Sequence, residues 1–288
     1  MARATQIRIA KVPIFSKLGD FTPRRVVSLQ PSITSIMERL GVLDRLVACT
    51  KYCVDVCPVA RERNIAIIED SWTAESEQIR AVNPDLVIAS VPYQIEAVAE
   101  ILKSGAQFLG LAPHNLRDIY ADIAAIAGIM GEPNRGQYLI REMQMEIERV
   151  RSRSASRQES PRVYCEEWGK PLIHSQGWVA ELVEAAGGEF VGQPGKQTDA
   201  ETVEKLNPDV IIAAWCGAGN RVPLEKIIAQ RRWESLSAVR EGRVYCINDE
   251  YLNTPGPALL NGLHALEAAI GNSESPGLRR IALNVVLE

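Results

Sequence analysis

The sequence predicts an α/β protein of two lobes, each a parallel sheet flanked by helices, joined by one long helix, with a ligand cleft between them. Three observations predict it. One pattern occurs twice, with Pro84 and Pro208 lying 124 positions apart. The first copy is Glu77-Gln78-Ile79-Arg80-Ala81-Val82-Asn83-Pro84-Asp85-Leu86-Val87-Ile88-Ala89-Ser90. The second is Glu201-Thr202-Val203-Glu204-Lys205-Leu206-Asn207-Pro208-Asp209-Val210-Ile211-Ile212-Ala213-Ala214. Strand and helix patterns alternate around both copies, and a long helical pattern lies between them.

In each copy a short amphipathic helix is stopped by Asn-Pro-Asp, because proline drives the preceding residue out of the helical region. The apolar run after it lacks polar alternation, as a strand covered on both faces should. Two such units at matching offsets imply two similar lobes, each Rossmann-like, and two lobes imply a cleft.

Residues 1–24 form an N-terminal extension, in which Gln6 to Val12 has the pattern of an edge strand. Residues 25–131 form the first lobe. Arg25 to Leu29 reads as a strand. Pro31-Ser32-Ile33-Thr34 opens a helix, with Ser or Thr at its cap, that runs to Leu40 before Gly41. Leu46 to Cys49 is a second strand, and Thr50 to Asp70 reads as irregular. After the first repeat come a helix from Glu96 to Ser104, closed by Gly105, and a strand from Gln107 to Leu111. A helix from Asp118 to Met130 ends at Gly131.

Residues 132–158 carry the bridging helix, from Asn134 to about Arg157, with Tyr138, Ile140, Met143, Ile147 and Val150 on one side. At 1.5 Å per residue it spans about 33 Å, a rigid strut. Residues 159–288 form the second lobe: a strand from Arg162 to Cys165, a helix from Trp178 to Ala186 ended by Gly187-Gly188, and the second repeat. A helix near Leu224 to Ile228, a strand from Arg243 to Ile247 and a helix from Ala258 to Ile270 follow. Ile281 to Leu287 has the pattern of an added edge strand.

Composition excludes several classes. The hydrophobic share of 46% and charged share of 24% in 288 residues are those of a soluble globular protein. A net charge of -4 gives no footprint for nucleic acid. No apolar stretch approaches the roughly 20 residues of a membrane helix, so no membrane insertion is expected. Met1 to Lys17 lacks the continuous apolar region and small-residue cleavage site of a signal peptide. A cytoplasmic protein is therefore expected, or a periplasmic one if a signal has been removed. There is no phosphate loop in strand-turn-helix context, no nucleophile elbow and no zinc-ligand spacing; no enzyme and no catalytic cofactor are expected. Cys165, Cys216 and Cys246 follow or end apolar runs and read as buried small hydrophobes.

These pieces resemble the helical-backbone class of substrate-binding proteins of ABC importers, which take cobalamin, ferric siderophores and haem. The resemblance runs from about Arg25 to Ile270. It rests on Val26-Val27-Ser28-Leu29-Gln30-Pro31-Ser32-Ile33-Thr34, the two Asn-Pro-Asp units, Ala185-Ala186-Gly187-Gly188, Arg243-Val244-Tyr245 and Pro255-Gly256-Pro257-Ala258-Leu259-Leu260. Glu167-Trp168-Gly169-Lys170-Pro171, Gly177-Trp178-Val179-Ala180-Glu181-Leu182 and Trp215-Cys216-Gly217 are similar to motifs of its cobalamin-binding branch. That branch usually carries His-Glu-Cys-Asp-Tyr-Pro after the second strand, where this chain has Lys51-Tyr52-Cys53-Val54-Asp55. Its cysteines after the first repeat strand are replaced by Ser90-Val91-Pro92-Tyr93. The resemblance implies non-enzymatic binding of a corrinoid, as ligand rather than cofactor, by a monomer that delivers it to an importer permease or handles it inside the cell. A ferric siderophore or haem is the alternative ligand. A nitrogenase-like component holding a metal cluster, and a cytoplasmic scaffold or sensor, are the alternative roles.

Ligands of such folds sit outside the carboxyl ends of the strands. That position selects Tyr52, Cys53, Tyr93, Trp168, Trp178, Trp215, Cys216 and Tyr251 as candidate ligand-binding residues, and aromatic faces suit a flat macrocycle. Trp178 also reads as core at the start of its helix, and Trp233 as structural. Cys53 as thiolate and His174 as imidazole are the candidate metal ligands. Cys49, Cys53 and Cys57 are spaced by four, which is not a usual iron–sulfur run. Glu77 and Glu201 match by position in the repeat. The resemblance implies that such a pair, one per lobe, docks on arginine pockets of the transporter. As helix-start carboxylates they also suit the macrodipole.

Overall fold

The computed structural model describes residues 22–63, 65–157 and 159–282. The strand pattern of Gln6 to Val12 and most of the run Ile281 to Leu287 lie outside them. The first lobe is a sheet of five parallel strands in the order β3-β2-β1-β4-β5. They are β1 Val26–Ser28, β2 Leu46–Thr50, β3 Ala66–Ile68, β4 Leu86–Ser90 and β5 Gln107–Leu111. Every residue of β1 and β4 is buried, so both faces of these central strands are covered, by α1 (Pro31–Arg39) and by α4 (Ser76–Ala81) with α5 (Ile95–Lys103).

Two local expectations are corrected here. The cap of α1 is Gln30, and no side chain bonds to its open amides; Pro31 starts the helix instead, where its missing N–H costs nothing. The stretch Thr50 to Asp70 is ordered as α2 (Lys51–Val56), α3 (Pro58–Glu62) and β3. Thr50 caps α2 by accepting from the amide of Cys53, and Pro58 opens α3. The apolar run Ile65 to Ile68 carries β3, and it is passed over when the whole stretch reads as irregular.

The two Asn-Pro-Asp units are equivalent in detail. The second helix is α9 (Ala200–Leu206) and its strand β10 (Val210–Ala213). Asn83 and Asn207 both turn left-handed, with φ of 43° and 40°, which asparagine tolerates. Asp85 accepts the amides of Arg24 and Arg25, and Asp209 that of Arg162. Arg25 donates to the carbonyls of Val82 and Asn83 at the end of α4. Arg162 donates to Leu206 at the end of α9. Arg25, just before β1, and Arg162, which opens the second lobe's first strand, thus close the repeat helices.

Helices α6 (Leu116–Ile129) and α7 (Pro133–Ser154) lead to the second lobe. Leu139, Met143, Ile147 and Val150 form the buried stripe of α7. Tyr138, expected on that stripe, is 71% exposed, because it precedes Leu139 and falls off the 3.6-residue period.

The second sheet is mixed, in the order β12-β11-β10-β6-β7-β9, with β8 beside β6. Its parallel centre is β6 (Arg162–Gly169), β10 and β11 (Val244–Ile247). The hairpin β6–β7 (Leu172–His174), β9 (Gln197–Thr198) and the edge strand β12 (Leu278–Arg280) are antiparallel additions. Short β8 (Glu189–Phe190) pairs in parallel. Helices α8 (Gly177–Ala185), α10 (Leu224–Arg231), α11 (Ser237–Arg240), α12 (Glu250–Asn253) and α13 (Leu259–Ile270) complete the lobe. One hydrophobic core runs from Ile33 and Met37 of α1, through α6 and α7, to Leu182 of α8 and Leu263 of α13.

Candidate functional site

In parallel α/β folds ligands bind outside the carboxyl ends of the strands, so the loops there, between the two lobes, form the candidate crevice. Direct contacts tie the lobes around it. The amide of Leu116 donates to Glu181 Oε2 at 2.7 Å. Gly256 lies against Ile36 and the backbone of Ser32, and Gly177 against the carbonyl of His114, where no Cβ would fit. Across the crevice, Asp55 of α2 acts on Glu250 of α12.

On the first lobe, Tyr52 follows β2 and is 41% exposed, with Lys51 Nζ 4.9 Å from its ring centre. Trp72 follows β3 and is 48% exposed. Asp70 Oδ1 accepts the amide of Trp72 at 2.9 Å and so shapes its turn. Sequence reasoning missed Trp72, because the stretch Thr50 to Asp70 before it reads as irregular. Tyr93 follows β4 but is half-buried, and its hydroxyl lies 2.6 Å from the carbonyl oxygen of Leu111 and 3.0 Å from that of Ala89. It braces the loops, and burial pushes its phenol up to about 12.

On the second lobe, Trp168 is 43% exposed near the tip of the β6–β7 hairpin, its indole donating to the carbonyl of Lys170 at 2.9 Å. A bulge falls between Glu166 and Trp168; an extra residue of this kind re-aims side chains. Trp215, after β10, packs its ring into the space that a Cβ on Gly169 would take. Successive strand residues face opposite ways, so Trp215, on the Gly169 and Leu172 side of the hairpin, and Trp168, on the Ile173 side, lie on opposite faces. Next to Trp215, Cys216 is exposed, and Asn253 Nδ2 donates to its sulfur at 3.2 Å. Tyr251 is half-buried with its ring against Gly277.

Carboxylates surround these aromatics. Burial pushes Glu167 up to about 7, opposed by a hydrogen bond from Gln176. Burial raises Asp249, although the amides of Gly217 and Gly219 bond to it. Burial, then Asp249 and Asp55, raises Glu250. Although Cys216 is exposed as a residue, the protein crowded around its sulfur, then Glu167 and Asp249, pushes its thiol up to about 12, so it is a neutral thiol near neutral pH. Glu167, Asp249 and Asn253 were also missed: the sequence alone does not show that three strand ends converge on Cys216.

Three expected site residues lie elsewhere. Trp178 is buried in the common core, and its indole donates to the carbonyl of Leu252 at 2.8 Å. It packs there because it opens a helix that faces α7, and it offers no free face to a ligand. Cys53 has no exposed surface, and its sulfur lies 3.2 Å from Thr50 Oγ1. Burial raises its thiol, yet bonds from Cys49, Thr34 and Thr50 outweigh that and bring it to about 6. Sealed in the core, it cannot reach a metal in the crevice. His174 is buried between Tyr164 and Phe190, with Nδ1 3.0 Å from the carbonyl of Lys196 and Nε2 closed off by Gly192. Among the described residues no group of three or more His, Cys, Asp or Glu could hold a metal ion.

A two-lobed α/β chain with exposed aromatics after its strands is the architecture of a binding protein. The chain belongs to the periplasmic binding protein family, which it matches over residues 26–251. It is a binding protein and not an enzyme. It is 25% identical to an uncharacterised ABC transporter substrate-binding lipoprotein, YvrC, of Bacillus subtilis, over 86% of this chain and 80% of that one. It is 28% identical to the vitamin B12-binding protein of Vibrio cholerae, over 84% and 87%. A periplasmic heme-binding protein from Pseudomonas aeruginosa shares the fold, with a TM-score of 0.79 at 19% identity, over 90% and 98%. The expected cytoplasmic location finds no support in these relatives, and the periplasmic alternative fits them. No helix among the described residues is long and apolar enough to cross a membrane.

Proposed function

We propose that this chain binds a corrinoid between its lobes, outside the cytoplasm, and delivers it to an ABC importer. The observation that carries the choice of ligand is the charge of the crevice. Exposed aromatics at Tyr52, Trp72 and Trp168 offer stacking area for a macrocycle. The half-buried charged groups beside them are the carboxyls Glu167, Asp249 and Glu250; Asp55, which pairs with Arg61 at 3.7 Å, and Lys51 and Lys170 are all exposed to solvent. A rim of carboxylates suits a ring fringed with primary amides, which donate hydrogen bonds. It repels the carboxylate arms of haem and the anionic groups of ferric siderophores. Relatedness to a vitamin B12-binding protein supports the same ligand.

Trp168, Trp215, Cys216, Tyr52 and Tyr251 are the contact residues of this reading, and Trp72 joins them. Residues 25–131 and 159–288 act as the two bodies, and 132–158 as the strut that limits their motion. Glu77 and Glu201 are both exposed in the first turns of α4 and α9. They are the docking pair for the transporter.

The test is a titration with cobalamin, cobinamide, haem and a ferric siderophore, followed by absorbance and tryptophan quenching. Both corrinoids are expected to bind one per chain, ahead of the two anionic ligands. Binding of haem or siderophore without binding of either corrinoid overturns the assignment.

A further inference from the structure

Glu166 is 1% exposed, and both carboxylate oxygens are occupied. Oε2 accepts from Arg231 Nη1 at 2.8 Å and from the hydroxyl of Tyr164 at 2.6 Å. Oε1 accepts from Arg231 Nη2 at 3.0 Å and from the indole of Trp215 at 2.8 Å. Arg231 Nη2 also donates to the carbonyl of Gly169 at 3.2 Å, and its guanidinium lies 4.7 Å from the ring centre of Trp233. One buried ion pair, between β6 and α10, therefore grips the indole of Trp215 and the last residue of the strand that carries Trp168.

A buried ion pair is a poor source of net stability, since desolvation offsets most of the attraction. A hydrophobic pair would serve packing as well. What the pair supplies is direction. The carboxylate fixes the rotation of the Trp215 ring through its one N–H. The guanidinium fixes the strand end just past the bulge. Ordering these groups before the ligand arrives removes that cost from binding.

We propose that Glu166 and Arg231 are positioning residues, which hold Trp215 and the end of the hairpin strand at Gly169 as a preformed shelf for the ligand. This rests on the reading that Trp215 faces the bound ligand.

Two measurements test it. In the free parent protein labelled with 15N-tryptophan, the Trp215 indole proton is expected to exchange slowly and to stay equally slow after cyanocobalamin is added. Exchange at the rate of an exposed indole in the free protein overturns the proposal. This readout needs no ligand, so a parent that binds no corrinoid defeats the assigned ligand and not the preformed shelf. The second uses the double variant Glu166→Leu, Arg231→Met, which removes both charges together. It is expected to melt near the parent, to lose protection at the Trp215 indole and to bind cyanocobalamin about 10-fold more weakly. Parental affinity in a folded double variant overturns the proposal. Should the double variant not fold, the indole exchange of the parent decides.

Discussion

Three tryptophans that look alike in the sequence part ways in the structure. Trp168 and Trp72 keep nearly half their surface in solvent beside the crevice, while Trp178 is 5% exposed in the core. Trp168→Ala or Trp72→Ala is expected to weaken corrinoid binding by about 1–3 kcal/mol, the scale of burying a large apolar side chain, with the melting temperature held. Trp178→Ala is expected to cost about 3–5 kcal/mol of stability. Calorimetry and titration of the three variants check this; a Trp168 variant that melts early and binds normally defeats the placement. Trp168 was legible because it lies just beyond the apolar run Val163 to Cys165, past Glu166 and Glu167. Trp178 misled because a glycine before a helix looks the same whether the helix faces a cleft or a core. Trp72 was missed because the short apolar run before it, Ile65 to Ile68, lies in a stretch that reads as irregular. Glu167 makes a pH prediction. Burial raises it from its ordinary value of 4.5 to about 7. The folded state then holds a proton that the unfolded state has lost, so stability falls as pH rises from about 4.5 to 7. Glu167→Gln is expected to flatten that slope, gaining on the order of 1 kcal/mol over the parent above pH 7 after allowance for its partial exposure. Parallel stability–pH curves for parent and variant defeat it.

At the scale of elements, the repeat carried most of what the sequence could say. Pattern and proline placed α4, β4, α9 and β10 because each rests on local chemistry: periodicity, a stop and a buried run. The antiparallel additions to the second sheet were not legible, since β7, β8 and β9 span three, two and two residues. Pairing of such short pieces is decided by neighbours and not by their own pattern. The same limit hid the carboxylates of the crevice, which gather from three strand ends. The repeat also fixes Glu77 and Glu201 at equal offsets from Pro84 and Pro208, at the starts of equivalent helices. Glu201 pairs with Lys205 at 2.7 Å, with both side chains about three-quarters exposed. Such a surface pair contributes little and yields readily to a partner cation. Glu77→Ala with Glu201→Ala is expected to abolish binding to the transporter and to leave corrinoid affinity unchanged, since the pair acts on the partner's positive sites. Full coupling of the double variant to its transporter defeats the docking assignment, and so does a loss of corrinoid affinity.

At the scale of the whole molecule, the bridging helix does more than connect. Its stripe of Leu139, Met143, Ile147 and Val150 belongs to a single core that also holds Ile33 and Met37 of the first lobe and Val163 and Leu263 of the second. A helix of 22 residues, spanning about 33 Å, can bend only by disturbing that packing, and packed interiors do not deform continuously. The lobes are therefore expected to move little on ligand binding and to unfold together. Met143 sits at the middle of this arrangement with no exposed surface, among side chains that anchor both sheets. Met143→Ala removes contacts that the two lobes share, at a cost of about 2–5 kcal/mol. Each lobe also has a cluster of its own on its outer face; if those alone held the lobes, the loss would split thermal unfolding into two transitions. With the shared core coupling them, the variant melts earlier in a single transition, and hydrogen exchange quickens in β4 and β10 alike. Protection lost in only one of those strands, or two calorimetric peaks, would show that the lobes are independent bodies and the strut no more than a linker.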